Sequence, residues 1–343
     1  MPSTHCFTSI SFSYLARARV LAETIRRHHP DWVLWLCISD QEPPGFRLDL
    51  ADEAFDHVVR VWELDIPSHH PWVFGHDVVE LCTAVKGPML QHLLAAGADQ
   101  VVYIDPDIAL FSPLDPVLDL LQRHAVVLTP HLLAPETTRE DVIKNELSCL
   151  QHGIYNLGFL AVANSSEGNR FAAWWADRLR EFCHADIPRG LFTDQRWCDL
   201  APALFDGVAV LRDPGCNVAS WNLAHRPVTI DASGDIRAAG HLLRFFHFTK
   251  TESGGEAILE ECSPDRPDVF ELLRWYRERL DHHAPAGLPP GWWHYGHYED
   301  GAPIPLADRL CWRNRSDLQA VFADPFATGP GSFRAWRQQP AAP

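Results

Sequence analysis

Two carboxylates, Asp105 and Asp107, stand either side of Pro106 at the end of the apolar run Val101-Val102-Tyr103-Ile104. A run of β-favouring residues like this reads as a strand buried on both faces of a parallel sheet. Proline cannot donate to a ladder, so the strand stops there, and the fixed φ of Pro106 holds the turn rigid. Both carboxylates can then point into one crevice outside the sheet edge, where open α/β sheets bind ligands. Like charges that close repel unless a cation lies between them or one is protonated. A hard divalent ion, Mg²⁺ or Mn²⁺, with positions left open for phosphate oxygens is the natural partner. The same residues also describe a solvated Asp-Pro-Asp turn, so the chemistry requires other groups to converge on it.

Several segments supply such groups. Lys86 lies on a helix predicted from Asp77 to Gly97, interrupted at Gly87-Pro88, that feeds into the Asp-bearing strand. Glu80, Thr83 and Lys86 share one polar stripe of that helix, which makes Lys86 a candidate phosphate contact or a solvated lysine. Tyr155 to Val162 reads as a strand entered through Asn156-Leu157-Gly158, and a glycine there marks close backbone approach to a ligand. Thr193-Asp194-Gln195 opens a predicted helix, where Thr193 or Asp194 serves either as N-cap or in chemistry. His247 sits near the end of a strand predicted from Leu242 to Phe248, as a hydrogen-bonded core residue or a ligand, with Lys250 just beyond;. Asp40 ends the second predicted strand, where it caps a turn or meets a ribose hydroxyl.

The elements that must position these residues begin with a strand His5–Ile10 and a helix from about Tyr14 to His29, ended by Pro30;. A strand from Trp32 to Ser39 completes a βαβ unit, whose crossover is expected to be right-handed. A third short strand surrounds His57 to Val61, and further strands follow at Val126–Thr129 and Val208–Leu211. Pro130 to Asn145 is polar and broken by Pro135, which predicts a mobile loop over the site. Gly168 to Cys183 is an amphipathic helix with Phe171, Trp174, Trp175 and Leu179 inward. Beyond Gly255 the character changes to a helix Asp268–Leu280, a Pro-rich linker and the aromatic cluster Trp292 to Tyr298. Arg309, Arg313 and Arg315 follow in a short basic helix. The division expected is residues 1–254 as one domain and 255–343 as an acceptor- or membrane-facing extension.

The 343 residues carry 45 acidic against 29 basic side chains, a net charge of -16, which argues against a nucleic-acid partner;. No apolar run approaches the roughly 18 residues of a membrane span, and no signal-peptide core opens the sequence. Nine cysteines without a C-x-x-C pair argue against zinc and a disulfide framework, and point to a cytoplasmic protein;.

Taken in order, the βαβ start, Lys86, Tyr103-Ile104-Asp105-Pro106-Asp107, Asn156-Leu157-Gly158, Thr193-Asp194-Gln195 and His247-Phe248-Thr249 resemble the nucleotide-sugar glycosyltransferases of the GT-A fold. The likeness is nearest to the retaining family 8 type, the glycogenin and bacterial galactosyltransferase group, and covers about residues 5 to 250. It implies an α/β fold with a mixed, mostly parallel sheet flanked by helices, plus a C-terminal, mainly helical or irregular extension. It also implies that Asp105, Asp107 and His247 hold Mn²⁺ or Mg²⁺, and that Lys86 and Lys250 contact the diphosphate of a donor, UDP-sugar first. Asn156 would meet the donor sugar, Asp194 and Gln195 would flank the anomeric carbon, and Thr8 and Asp40 would lie at the nucleoside. The family's later Lys-Pro-Trp is absent here. A glycan, glycolipid or protein would be the acceptor, in polysaccharide or glycoconjugate synthesis at the cytoplasmic face of a membrane. Two other activities share this fold, sugar nucleotidyl transfer and binding without turnover. Ser9-Ile10-Ser11-Phe12-Ser13 lacks the Gly-rich basic loop of the first, and Asp105, Asp107 and His247 together speak against the second.

Overall fold

The structure is a computed structural model that describes residues 2–249 and 267–339. β1 (Thr4–Ile10), β2 (Val33–Ile38) and β3 (His57–Arg60) run parallel, with α1 (Leu15–His28) joining the first two. α1 buries Leu15, Ala18, Leu21, Ala22 and Ile25, the face its periodicity predicts;. β4 (Gln100–Ile104) adds parallel to the other edge of β1, so the strand order turns back between β1 and β4. β6 (Val126–Pro130), β7 (Tyr155–Ala163) and β10 (Val208–Val210) complete a seven-stranded sheet of order β10-β6-β7-β4-β1-β2-β3. β7 alone is antiparallel to its neighbours, β4 and β6. This is the mixed, mostly parallel α/β sheet that the resemblance implies.

The smaller strands build what surrounds the crevice. β5 (Ile108–Leu110), β11 (Val218–Ala219) and β15 (Phe245–His247) form a three-stranded sheet of order β11-β15-β5, and β8 (Ala185–Asp186) pairs with β9 (Leu191–Phe192). β12 (Val228–Ile230), β13 (Ile236–Ala238) and β14 (His241–Leu242) form an antiparallel sheet. The strand expected from Leu242 to Phe248 is thus two strands. It breaks at Leu243-Arg244, where Arg244 donates its N–H to Gly215 O and accepts from Phe111 N–H.

β4 is buried along its whole length. Val101 and Tyr103 enter the core beneath α3 (Val78–Ala84) and α4 (Lys86–Ala95), while Val102 and Ile104 enter the core beneath α1. The break between α3 and α4 falls at Val85, two residues before the one predicted. Pro88 then sits in the first turn of α4, where its missing N–H costs nothing. Gly87 lets that turn lie on the helix Ser166–Phe182, since a Cβ there would come 2.6 Å from Ala176 Cα. Past β6, the expected open loop is partly helical: Arg139–Asp141, a π-turn Val142–Glu146, then Leu147–His152.

The segment beyond residue 267 packs into the main core. Tyr295, Tyr298, Trp312, Phe326 and Phe333 share one cluster with Phe74, Leu81 and Leu90. Of the arginines expected on a basic, membrane-facing surface, two are turned inward. Arg309, 2% exposed, donates to the carbonyls of Phe74, His76 and Tyr295. Arg313 bonds Gly75 O and pairs with Glu80, and Arg315 pairs with Asp317 at the surface. The physical reason is the end of helix α2 (His69–Phe74), whose last carbonyls lack intrahelical partners and take guanidinium donors instead;. Among the described residues no helix is long and apolar enough to cross a membrane.

Candidate active site

Topology brings the two carboxylates to the histidine. Asp105 adds a last ladder bond beyond β4, its N–H donating to Gly158 O at 2.7 Å. β5 and β15 pair antiparallel with Ile108 opposite His247, and Phe248 N–H donates to Asp107 O at 2.8 Å. His247 Nε2 lies 3.0 Å from Asp107 Oδ1 and 3.9 Å from Asp105 Oδ2. One ligand atom from each of Asp105, Asp107 and His247 lies within 4.8 Å of the other two. Two partly exposed carboxylates and one buried imidazole fit a hard divalent ion that keeps further positions for phosphate oxygens;. Burial opposes charge on Asp107, yet His247 and Arg17 outweigh it and hold the carboxyl below its ordinary range. Burial likewise pulls His247 down, and Asp107 and Asp105 more than reverse that.

Gly158 is the floor of this triad. A Cβ there would stand 2.7 Å from His247 Cε1, 2.8 Å from Asn156 Oδ1 and 3.0 Å from Asp105 Oδ2. Gly158→Ala is expected to weaken Mn²⁺ binding at least tenfold by displacing two ligands at once, on the scale of other support-shell changes. A Mn²⁺ titration followed by electron paramagnetic resonance checks this, and unchanged affinity would refute it.

A second cluster is centred on Lys86, which the break at Val85 turns inward to 2% exposure. Its ammonium donates to Asp105 Oδ1 at 3.1 Å and Leu157 O at 3.0 Å, and lies 2.8 Å from Asp194 Oδ2. It also lies over the Tyr103 ring, 4.2 Å from the centroid, and the Tyr103 hydroxyl donates to Asp105 Oδ1. Burial alone would lower Lys86, but Asp105 and Asp194 more than compensate and hold it above its ordinary value. Asp194 is pushed up by burial, with Lys86 opposing.

Asp194 follows β9 at a turn where Thr193 has φ 43°, a strained value for a β-branched residue;. The Thr193 hydroxyl donates to Asp194 Oδ1 at 3.0 Å, and Trp175 Nε1 donates to Asp194 O at 3.2 Å. Oδ2 accepts no aligned hydrogen bond, so its contact with Lys86 is an ion pair. The 3₁₀ turn Arg196–Leu200 that follows has no side-chain cap, so Asp194 is not an N-cap. Gln195 accepts from Leu157 N–H at 3.1 Å and donates to His152 O at 2.9 Å, tying the entrance of β7 to the helix before it.

The structure therefore gathers Lys86, Asp105, Asp107, Asn156, Asp194, Gln195 and His247 in one place. Thr8 lies buried within β1, and Asp40 lies buried two residues beyond the end of β2. Asp40 accepts backbone N–H bonds from Phe12, Gln41 and His294 and is pushed up to about 6 by burial. Lys250 lies outside the described residues. Sequence reasoning missed Tyr103, which reads as strand core, and Arg17, whose charge acts on Asp107 and whose guanidinium stacks on Tyr14. It also missed His131 and Trp221, which stand behind His247 in segments without periodicity.

No family model matches the chain. The uncharacterized protein YfnD of Bacillus subtilis (strain 168) is 24% identical over 284 residues, 81% of this chain and 84% of its own. The galactosyltransferase LgtC, solved with donor and acceptor sugar analogues, is similar over 84% of this chain and 98% of its own, at 15% identity and a TM-score of 0.46. GlyE, a glycosyltransferase of Streptococcus pneumoniae TIGR4, is similar over 82% of this chain and 64% of its own, at 15% identity and a TM-score of 0.46. Both TM-scores lie below 0.5, and what this chain does rests on its own side chains.

Proposed function

We propose that this chain is a metal-dependent glycosyltransferase. It moves a sugar from a nucleoside-diphosphate sugar, UDP-sugar first, to a glycan, glycolipid or protein acceptor, with retention at the anomeric carbon. The observation that supports this is Asp105, which belongs to both clusters. It is one of the three converging metal-ligand candidates and it also takes a hydrogen bond from Lys86. A site for the diphosphate and a site for the reacting carbon thus share one carboxylate.

Asp105, Asp107 and His247 would hold Mn²⁺ or Mg²⁺, which supplies Lewis-acid stabilisation of a departing diphosphate. Arg17 and Lys86 add fixed positive charge beside it, and none of these groups needs a proton transfer to act;. Asp194 offsets the Lys86 charge and favours positive charge at the anomeric carbon. Gln195 fixes the backbone at Leu157, where the donor sugar would lie against β7.

The test is turnover on a panel of nucleoside-diphosphate sugars with Mn²⁺, reading released nucleoside diphosphate and thermal shift together. One donor is expected to raise the melting temperature and to be cleaved only with metal present. Binding without cleavage of any donor would leave a binding protein instead, and release of pyrophosphate when a nucleoside triphosphate and a sugar 1-phosphate are supplied in place of the donor would mark a nucleotidyltransferase.

A further inference from the structure

Behind the metal-ligand candidates runs a chain of hydrogen bonds that ends on a backbone carbonyl. His131, just past β6, places Nδ1 3.1 Å from Ile154 O. A carbonyl oxygen only accepts, so Nδ1 carries the proton. The ring is pushed down to about 4 by burial and is neutral near pH 7, which leaves Nε2 with a bare lone pair. Asn156 Nδ2 lies 3.3 Å from that Nε2 and donates to it. The other end of the same amide, Oδ1, lies 3.3 Å from His247 Nδ1 and accepts from it. The proton on His247 Nδ1 is thereby fixed, and Nε2 is the nitrogen left to face Asp107 and Asp105.

With Asn156 turned over, its oxygen would face the His131 lone pair and its NH₂ would face His247 Nδ1. His247 would then keep its proton on Nε2, where a cation could not bind. His131 is itself immobilised: its N–H donates to Ile154 O at 3.0 Å, and its carbonyl accepts from Asn222 Nδ2 at 3.3 Å. The Trp221 ring lies edge-on to both imidazoles, 5.5 Å from each.

We infer that His131 is a positioning residue for the metal site, acting through the Asn156 amide to hold His247 in the tautomer whose Nε2 can ligate. The inference rests on the metal reading given above. A partner of a ligating imidazole is worth roughly 10–100-fold in metal affinity.

The test uses Mn²⁺ alone and the full chain. His131→Phe keeps the ring against Trp221 and removes the lone pair, and His131→Gln keeps an acceptor. His131→Phe is expected to bind Mn²⁺ about 10–100-fold more weakly, with loss of the ¹⁴N coupling that spin-echo spectroscopy shows for a bound imidazole. His131→Gln is expected to retain both. Wild-type affinity and coupling in His131→Phe would overturn the inference. So would equal loss in the two variants, because shape rather than the acceptor would then matter. If His131→Phe does not fold, ¹⁵N spectra of the Mg²⁺-loaded wild type decide: His131 protonated on Nε2 would overturn the relay. Wild-type protein that binds Mn²⁺ with no nitrogen coupling at all would instead remove the triad itself, and the relay with it.

Discussion

Asp107→Asn is expected to lower kcat/KM by about 10²-fold or more at a fixed Mn²⁺ concentration, while the melting temperature stays within a few degrees of wild type. Asp107 bonds His247 but takes no part in the Lys86 cluster, so its loss isolates the metal site. EDTA is expected to abolish turnover of the unmodified protein and Mn²⁺ to restore it. Asp105→Asn should cost at least as much activity and, unlike Asp107→Asn, stability as well, since Lys86 and Tyr103 both donate to that carboxylate. Donor kinetics and thermal melts on the two variants separate the cases. Full activity of Asp107→Asn, or of wild type in EDTA, would end the metal assignment.

The second large effect concerns the Lys86–Asp194 pair, 2.8 Å apart and almost wholly buried. Lys86→Met strands Asp194 without its cation and is expected to destabilise by about 3–5 kcal/mol. Asp194→Asn keeps the Thr193 bond and leaves Lys86 its contacts with Asp105 and Leu157, so it should be milder in stability. Its kcat and kcat/KM should nevertheless fall together by roughly 10³-fold, as expected for an interaction made only in the transition state. The double variant should be more stable than Lys86→Met alone, because no unpaired buried charge remains, yet no more active. Urea unfolding and steady-state kinetics on the three proteins test this. Wild-type kcat in Asp194→Asn would reduce Asp194 to a structural partner. Product anomericity by NMR is expected to show retention, and an inverted linkage would reassign Asp194 as the base that deprotonates the acceptor.

What could be read in advance was whatever a single segment carries. The apolar run into Asp105 announced a strand buried on both faces, and its alternating entry into two cores follows from period-two geometry;. Asp107 was legible in the Asp-Pro-Asp turn that follows β4, and His247 at the end of its strand. The Lys86–Asp194 contact was not, since it depends on the helix break at Val85 and on a strained turn at Thr193 that no periodicity announces. Gly158 meets Asp105 because β7 runs antiparallel beside β4, a direction the sequence does not state. Arg309 and Arg313 misled for the opposite reason. Arginine on a short amphipathic helix is outward by default, and the carbonyls at the end of α2, with Tyr295 O and the Glu80 carboxylate, draw these two in;.

The shared core has a consequence for how the chain is made. Phe74 is covered by Tyr298, Trp312, Phe326 and Phe333, so its partners are translated long after it. At about 5–20 residues per second, the stretch from Phe74 to Phe326 takes roughly 10–50 s to emerge. Through that interval the outer wall of α2 stays bare on the ribosome, an apolar surface for chaperones to hold. A chain stopped at residue 290 would keep that surface permanently and is expected in the insoluble fraction. A soluble fragment of residues 1–290 that unfolds cooperatively would show that the sheet closes without its C-terminal cover.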